Sequence, residues 1–327
     1  MAAARGGCHA TTDRAGDRRG PNRAGAGNRW CRGSQRHHAR QKRARPVPRR
    51  HRLRLRLYTI KPNGTDLRQL THVTGEASQG DWSPDGRRIA FELADATHVG
   101  VAIMRADGSG IRDLTPTGFQ GQPAFTPDGH HLVYNLCADQ PNGSGIFIIR
   151  DNGTGIRRLT APNPFPTECD EDPNVSPDGK TVTFVRHKVD GLLQALYAVN
   201  IDGSHLRKIV PYRHEVGVKH DWAPDGRHIV ITIDADYPEG RSPNVATVRP
   251  DGTHLRLLTH YRGGDWGAFA GSYSPDGRWI VFRLENLQLQ QFKLMKMYPD
   301  GSHRKLIATL PFRPRAIDWG ARPNHNH

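Results

Sequence analysis

Nothing in this 327-residue chain is apolar for long enough to cross a membrane as a helix, and no apolar run of signal-peptide length stands near the start. Catalytic punctuation is missing as well. There is no Gly-x-Ser-x-Gly, which excludes the strained serine elbow of the α/β-hydrolases. There is no His-Glu-x-x-His, no Cys-x-x-Cys, and no phosphate-cradling glycine loop ahead of a helix. No segment carries a sustained helical apolar period. Cysteine is scarce, at four residues, and two of these, Cys8 and Cys31, lie in a stretch unlike the rest.

That stretch accounts for the charge. Of 47 Lys and Arg, 17 fall in residues 1–56 beside only two acids, Asp13 and Asp17; the remaining 30 basic residues meet 30 acidic ones. The body is therefore neutral, and the net charge of +15 belongs to the tail. Three readings of residues 1–52 stand open. A segment this rich in Arg, Gly, Ala and His with few apolar residues reads as disordered. Its clustered arginines would neutralise phosphates, so nucleic acid would be a partner only through this tail, the least favoured of the three readings. The same composition arises when GC-rich coding DNA is translated out of frame, with the true frame entering near Tyr58. Restoring that frame would supply a further apolar strand.

What is present is a repeat. Pro-Asp-Gly follows a small residue at Ser83–Gly86, Thr126–Gly129, Ser176–Gly179, Ala223–Gly226 and Ser274–Gly277. Pro presets φ, Asp bonds local backbone, and Gly takes the position needing positive φ. A second turn alternates with it: Asn63-Gly64, Asp107-Gly108, Asn152-Gly153, Asp202-Gly203, Asp251-Gly252 and Asp300-Gly301. Such pairs read as β-hairpins. Alternating apolar runs lie between, as in Ile89-Ala90-Phe91 and Val101–Met104. A period of 40 to 50 residues built this way predicts an all-β, six-bladed β-propeller of four-stranded antiparallel blades over residues 53–320, followed by a short tail, 321–327. Five blades are complete. The closing blade is split between the termini, Leu57–Leu70 supplying two strands and Ala316–Gly320 one. It lacks a second strand, since Pro46 and Pro48 argue against one in residues 41–50.

Acidic residues gather in the loops entering the first strands: Glu76, Asp81, Glu168, Asp170, Glu171, Asp172, Asp221, Asp265 and Asp318. First strands are innermost, so these residues would ring the channel mouth. Glu76, Asp170, Glu171, Asp172, Asp221 and Asp265 are the candidates for holding a partner. Asp170, Glu171 and Asp172 are also the candidates for a hard cation such as Ca²⁺, which wants several oxygens. A solvated acidic loop is the preferred reading of the run, ahead of a metal site, and no other cofactor is expected. The Asp-Trp pairs (Asp81-Trp82, Asp221-Trp222, Asp318-Trp319) are expected to be structural. Cys137 and Cys169 fall in loops on one face of neighbouring blades. They are either free thiols or a disulfide, and a disulfide would point to an oxidising compartment.

The phrase Gly80-Asp81-Trp82-Ser83-Pro84-Asp85-Gly86-Arg87-Arg88-Ile89-Ala90-Phe91, with Leu70-Thr71 before it and Met104–Ser109 after it, resembles the repeats of TolB-type, WD-repeat-like propellers over roughly residues 57–320. The resemblance implies a scaffold for protein contacts, periplasmic or secreted, and not an enzyme. Nothing here matches the α/β domain that precedes the propeller in TolB. The expectation is a monomeric scaffold that takes a protein or peptide on its variable-loop face. The alternative is a metal-dependent propeller enzyme of the lyase or lactonase type with its site at the channel mouth.

Overall fold

A computed structural model of the chain describes residues 55–320, apart from 117, 119, 138–142, 164–166, 189–192, 235–241 and 264. Contacts divide the chain into residues 1–51 and 52–327. The expectations for the basic tail and for residues 321–327 lie outside the described residues.

Five antiparallel four-stranded sheets follow one another as blades. Blade one is β3 (Glu76–Trp82), β4 (Arg88–Ala94), β5 (Val99–Arg105) and β6 (Arg112–Asp113), after a two-stranded sheet of β1 (Tyr58–Thr59) and β2 (Arg68–Gln69). Blade two is β7 (Gln120–Phe125), β8 (His131–Leu136), β9 (Gly145–Arg150) and β10 (Arg157–Arg158). Blade three is β11 (Glu168–Val175), β12 (Thr181–Lys188), β13 (Leu193–Asn200) and β14 (Arg207–Val210). Blade four is β15 (Asp221–Trp222), β16 (Ile229–Ile233), β17 (Asn244–Val248) and β18 (Arg256–Leu257). Blade five is β19 (Gly267–Tyr273), β20 (Ile280–Asn286), β21 (Gln291–Met297) and β22 (Lys305–Leu310). The expected six four-stranded blades are thus five: β1 and β2 pair only with each other, and no second strand stands beside β1 among the described residues.

The turns form through the chemistry of their residues. Ser83 donates its hydroxyl to Asp85 Oδ1 (2.6 Å) and accepts from Arg88 N (2.9 Å). Thr126, Ser176 and Ser274 repeat the pattern in blades two, three and five. Blade four has Ala223 there and keeps the backbone bond from Gly226 N to Ala223 O (2.8 Å). At the other hairpin, Gly108 sits at φ 88°, and a Cβ there would come within 2.6 Å of Leu70 O on the preceding sheet. Positive φ and close approach both demand glycine. Gly64 meets Ile307 O of β22 in the same way, which seats the β1–β2 sheet against blade five.

Burial on both faces draws apolar residues into the centre of each middle strand. Every residue of β16 and β20 is buried, and Phe91, Phe184 and Phe282 are among the largest fully buried side chains. The core lies between blades: one cluster joins Phe184 and Val182 of β12 to Ile146 and Val133 of blade two.

Cys137, just after β8, is bonded to Cys169 (Cα–Cα 5.6 Å), so a disulfide joins blades two and three. Cys169 lies inside β11 rather than in the loop expected before it. The bridge spans 32 residues of sequence. Closing such a loop restricts the unfolded chain by about 3 kcal/mol. The double variant Cys137→Ser/Cys169→Ser is expected to melt roughly 5–10 °C lower than the oxidised protein. A calorimetric shift below a degree would show that the bridge constrains nothing.

Candidate functional site

The inner strands β3, β7, β11, β15 and β19 contact one another in succession around the axis. Three of them, β3, β7 and β11, carry a bulge with a non-glycine residue at positive φ: Gln79 (53°), Gln122 (48°) and Asp172 (47°). Each stands three residues before its anchor, Trp82, Phe125 or Val175. The corresponding residue of blade four is Lys219. Bulges re-aim side chains at the ends and rims of sheets. Here they cross-link the wall, since Asp172 N donates to Gln122 Oε1 (2.8 Å).

Lys219 sits among carboxylates from four places in the chain. Burial alone would lower its pKa, but Asp172, Asp318, Asp81 and Asp221 together raise it above the ordinary lysine value. Two of the carboxyls, Asp81 and Asp221, are shifted upwards. Burial pushes Asp221 up to about 6, with Lys219 opposing and Asp318 adding to the rise. Asp81 is raised by burial and by the neighbouring Asp318 charge. Three of the acids also bridge sheets. Asp81 Oδ2 accepts from Phe125 N (2.8 Å), Asp221 Oδ2 from Tyr273 N (2.8 Å), and Asp318 Oδ2 from Trp82 N (3.0 Å). Ser272 Oγ accepts from Trp319 N (2.6 Å) at the same structural position. This is how the Asp-Trp pairs hold the molecule together. Trp222 adds a bond from its indole Nε1 to Thr183 Oγ1 of blade three (2.9 Å).

The acidic residues singled out from sequence separate into three environments. Glu168, Asp170, Glu171 and Asp172 belong to the strand β11, not to a loop, and all but Glu171 are buried. The strand starts earlier than expected because Glu168–Glu171 pair with Val185–Lys188 of the long β12. Asp170 is fully buried: its two oxygens take Arg186 Nε (2.7 Å) and Nη2 (2.9 Å), and Thr160 Oγ1 donates to Oδ2 (2.6 Å). These three bonds engage the Asp170 carboxylate within the protein, between blades two and three. Glu171 groups with Cys137 and Cys169, whose sulfurs are consumed by the disulfide. Asp172 and Asp221 reach the axial cluster, where Asp172 Oδ2 also lies 3.3 Å from Nδ1 of the buried His220. Glu76 is half-buried at the start of β3, and Asp265 is exposed just ahead of β19.

Sequence reasoning missed Lys219. Its signal was its place: it occupies in blade four the offset that Gln79, Gln122 and Asp172 occupy in theirs. Three more carboxylates than ammonium groups meet at the axis, so the cluster keeps a residual attraction for cations.

The profile of the family described as TolB beta propeller domain matches residues 115–322. The uncharacterized peptidase YuxL of Bacillus subtilis is 24% identical over 202 residues, 52% of this chain and 30% of its own length. The Tol-Pal system protein TolB of Nitratidesulfovibrio vulgaris is 29% identical over 136 residues, 41% of this chain and 29% of its own. This chain thus spans about a third of the length of either relative. The crystal structure of TolB from Acinetobacter baumannii superposes with a TM-score of 0.62 at 17% identity, over 79% of this chain and 60% of that one, a likeness of fold.

Proposed function

This chain belongs to the TolB β-propeller domain family, and on that premise we propose that it is a non-enzymatic scaffold holding a protein or peptide over the axis on its variable-loop face. The axial cluster carries the reading. Carboxylates from separate blades surround one half-buried ammonium group. Lys219 already answers part of the carboxylate charge at the axis, which favours a binding surface over a metal-dependent lyase or lactonase. The excess of carboxylates favours a ligand segment rich in Lys or Arg. The Cys137–Cys169 bridge suits an oxidising compartment, in keeping with a place in the cell envelope. The scaffold acts as a monomer.

A sixth blade is part of the same proposal. Asp318 bonds Trp82 N as Asp81 bonds Phe125 N, one blade on. Leu57 N donates to Thr71 Oγ1 as Val101 N donates to Thr115 Oγ1. Residues 316–320 thus hold the first-strand position, and β1 and β2 hold the third and fourth.

Calorimetry of the full chain with a Lys/Arg-rich peptide tests the site. Binding should weaken as salt rises. The double variant Glu76→Gln/Asp265→Asn should weaken it about 3–10-fold, each rim charge contributing under about 1 kcal/mol, with no loss of thermal stability. Equal binding of a peptide with Glu in place of each Lys and Arg would overturn the proposal.

A further inference from the structure

The bridge between blades two and three has a carboxylate beside it. Cys137 Sγ, Cys169 Sγ and an oxygen of Glu171 all lie within 4.8 Å of one another. The fold explains why they meet. Cys169 and Glu171 are two positions apart in the regularly paired part of β11, so their side chains share one face of the strand. Asp170, between them, turns to the other face, where Arg186 and Thr160 hold it. Cys137 arrives from the end of β8 in the neighbouring blade, its Cα 5.6 Å from that of Cys169. Asn135, itself buried, points its amide Nδ2 at Cys137 Sγ (3.6 Å). Cys169 is buried, while Cys137 and Glu171 are half-buried, so the group is open to solvent on one side.

We infer that these three residues form a redox-gated zinc site, closed while the disulfide stands and open once it is reduced. A reductant of the dithiol class gives the bridge two electrons and two protons. The S–S bond breaks, both cysteines become thiols, and the dithiol becomes a disulfide. Zn²⁺ then displaces one proton from each thiol and bonds both sulfurs, with a Glu171 oxygen as third ligand and water as fourth. The donors select the metal. Thiolates are soft and suit Zn²⁺, whereas Ca²⁺ and Mg²⁺ want oxygen. A tetrahedral zinc, with Zn–S of about 2.3 Å and Zn–O of about 2.0 Å, sets its donors roughly 3.5–3.8 Å apart. Donors that start within 4.8 Å of one another reach that spacing by side-chain rotation, without moving a strand. The Asn135 amide would then donate to a thiolate, as groups around metal ligands commonly do. Metal and disulfide are thus alternatives, and each ties blade two to blade three. A chain that loses the bridge keeps the tie.

The test uses the full chain carrying Cys8→Ser and Cys31→Ser, which leaves Cys137 and Cys169 as its only cysteines. The protein is reduced with a phosphine, freed of reductant and titrated without oxygen. Co²⁺ is the first probe, because its charge-transfer absorption reports thiolate ligands and is blind to histidine and carboxylate. The band should saturate at one equivalent, and Zn²⁺ should displace the cobalt and abolish it. Reduction alone should lower the melting temperature, and one equivalent of Zn²⁺ should restore at least half of the loss. Re-forming the bridge with an oxidant should release one zinc per disulfide. Glu171→Gln should keep the cobalt band and weaken zinc binding by about tenfold or more. The inference falls if the reduced protein gives no charge-transfer band, or if Glu171→Gln binds zinc as tightly as its parent. It falls also if Zn²⁺ raises the melting temperature of the oxidised protein equally, which would put the metal on other groups. Glu76→Gln/Asp265→Asn should leave zinc binding unchanged, which separates this site from the axial one.

Discussion

Lys219→Met is expected to destabilise the protein by about 3–5 kcal/mol at pH 8, and by less than half of that at pH 5. The variant removes the one ammonium group that Asp81, Asp172, Asp221 and Asp318 share. Without it the carboxyls face one another with no counter-charge, and the cost is greatest where the most of them are ionised. The direction of the pH effect follows from Asp221, whose pKa in the fold is about 6 against an ordinary 3.8, chiefly through burial. A carboxyl with a raised pKa takes up a proton in the folded state before the unfolded one does. Stability from this group therefore increases as pH falls from about 6 towards 4, and is lost as pH rises through that window. Asp81 shifts in the same direction. Lys219 itself has a raised pKa, so its contribution is present throughout this range and is lost only in strong alkali. Without the ammonium group the carboxyls are pushed higher still, and acid relieves the repulsion. Lys219→Arg keeps the charge and should recover most of the loss. Urea unfolding at the two pH values is the measurement. An equal loss at both would mean that Lys219 acts through packing rather than charge.

The blades are legible in the sequence because their signals are local. Pro-Asp-Gly and Asn/Asp-Gly each fix a turn through neighbouring atoms, and the apolar alternation between them sets the register. The closing bonds made by Asp318 are half-legible: the Asp-Trp repetition marks the residue, while its partner, Trp82 N, lies 236 positions away. The bulges leave no such mark. Gln79, Gln122 and Asp172 take positive φ without being glycine, so no residue type announces the extra position. A bulge changes which side chains face the axis, and with it the fate of each carboxylate. Asp170 could have been placed by counting outwards from the Ser176 turn through the bulge, which sets it opposite Arg186. Counting requires knowing that β11 starts at Glu168, and acidic residues at a strand's edge give no apolar pattern to show it.

Breaking the Asp170–Arg186 pair is the second large effect. Asp170→Ala alone is expected to cost about 3–5 kcal/mol, because it leaves a buried guanidinium without its partner. Arg186 is held by both carboxylate oxygens of Asp170 and lies 4.9 Å from the centre of the Tyr197 ring. Burial works to lower its pKa, yet the bonds to Asp170 keep it above the ordinary arginine value. Arg186→Leu alone should cost a similar amount by stranding the Asp170 carboxylate. The double variant should be far milder than either sum, for a reason visible in the sibling blades. The cross-strand pair equivalent to Asp170–Arg186 is Ala77–Leu93 in blade one and Ala268–Leu284 in blade five. Asp170→Ala/Arg186→Leu therefore installs a pair that this architecture already accommodates. Its residual cost is about 1 kcal/mol, from the Thr160 hydroxyl that loses its acceptor. A double-mutant cycle by chemical unfolding should thus give a coupling of several kcal/mol between the two residues. Additive single effects would show that the pair is not coupled and that Asp170 is free to serve a ligand after all.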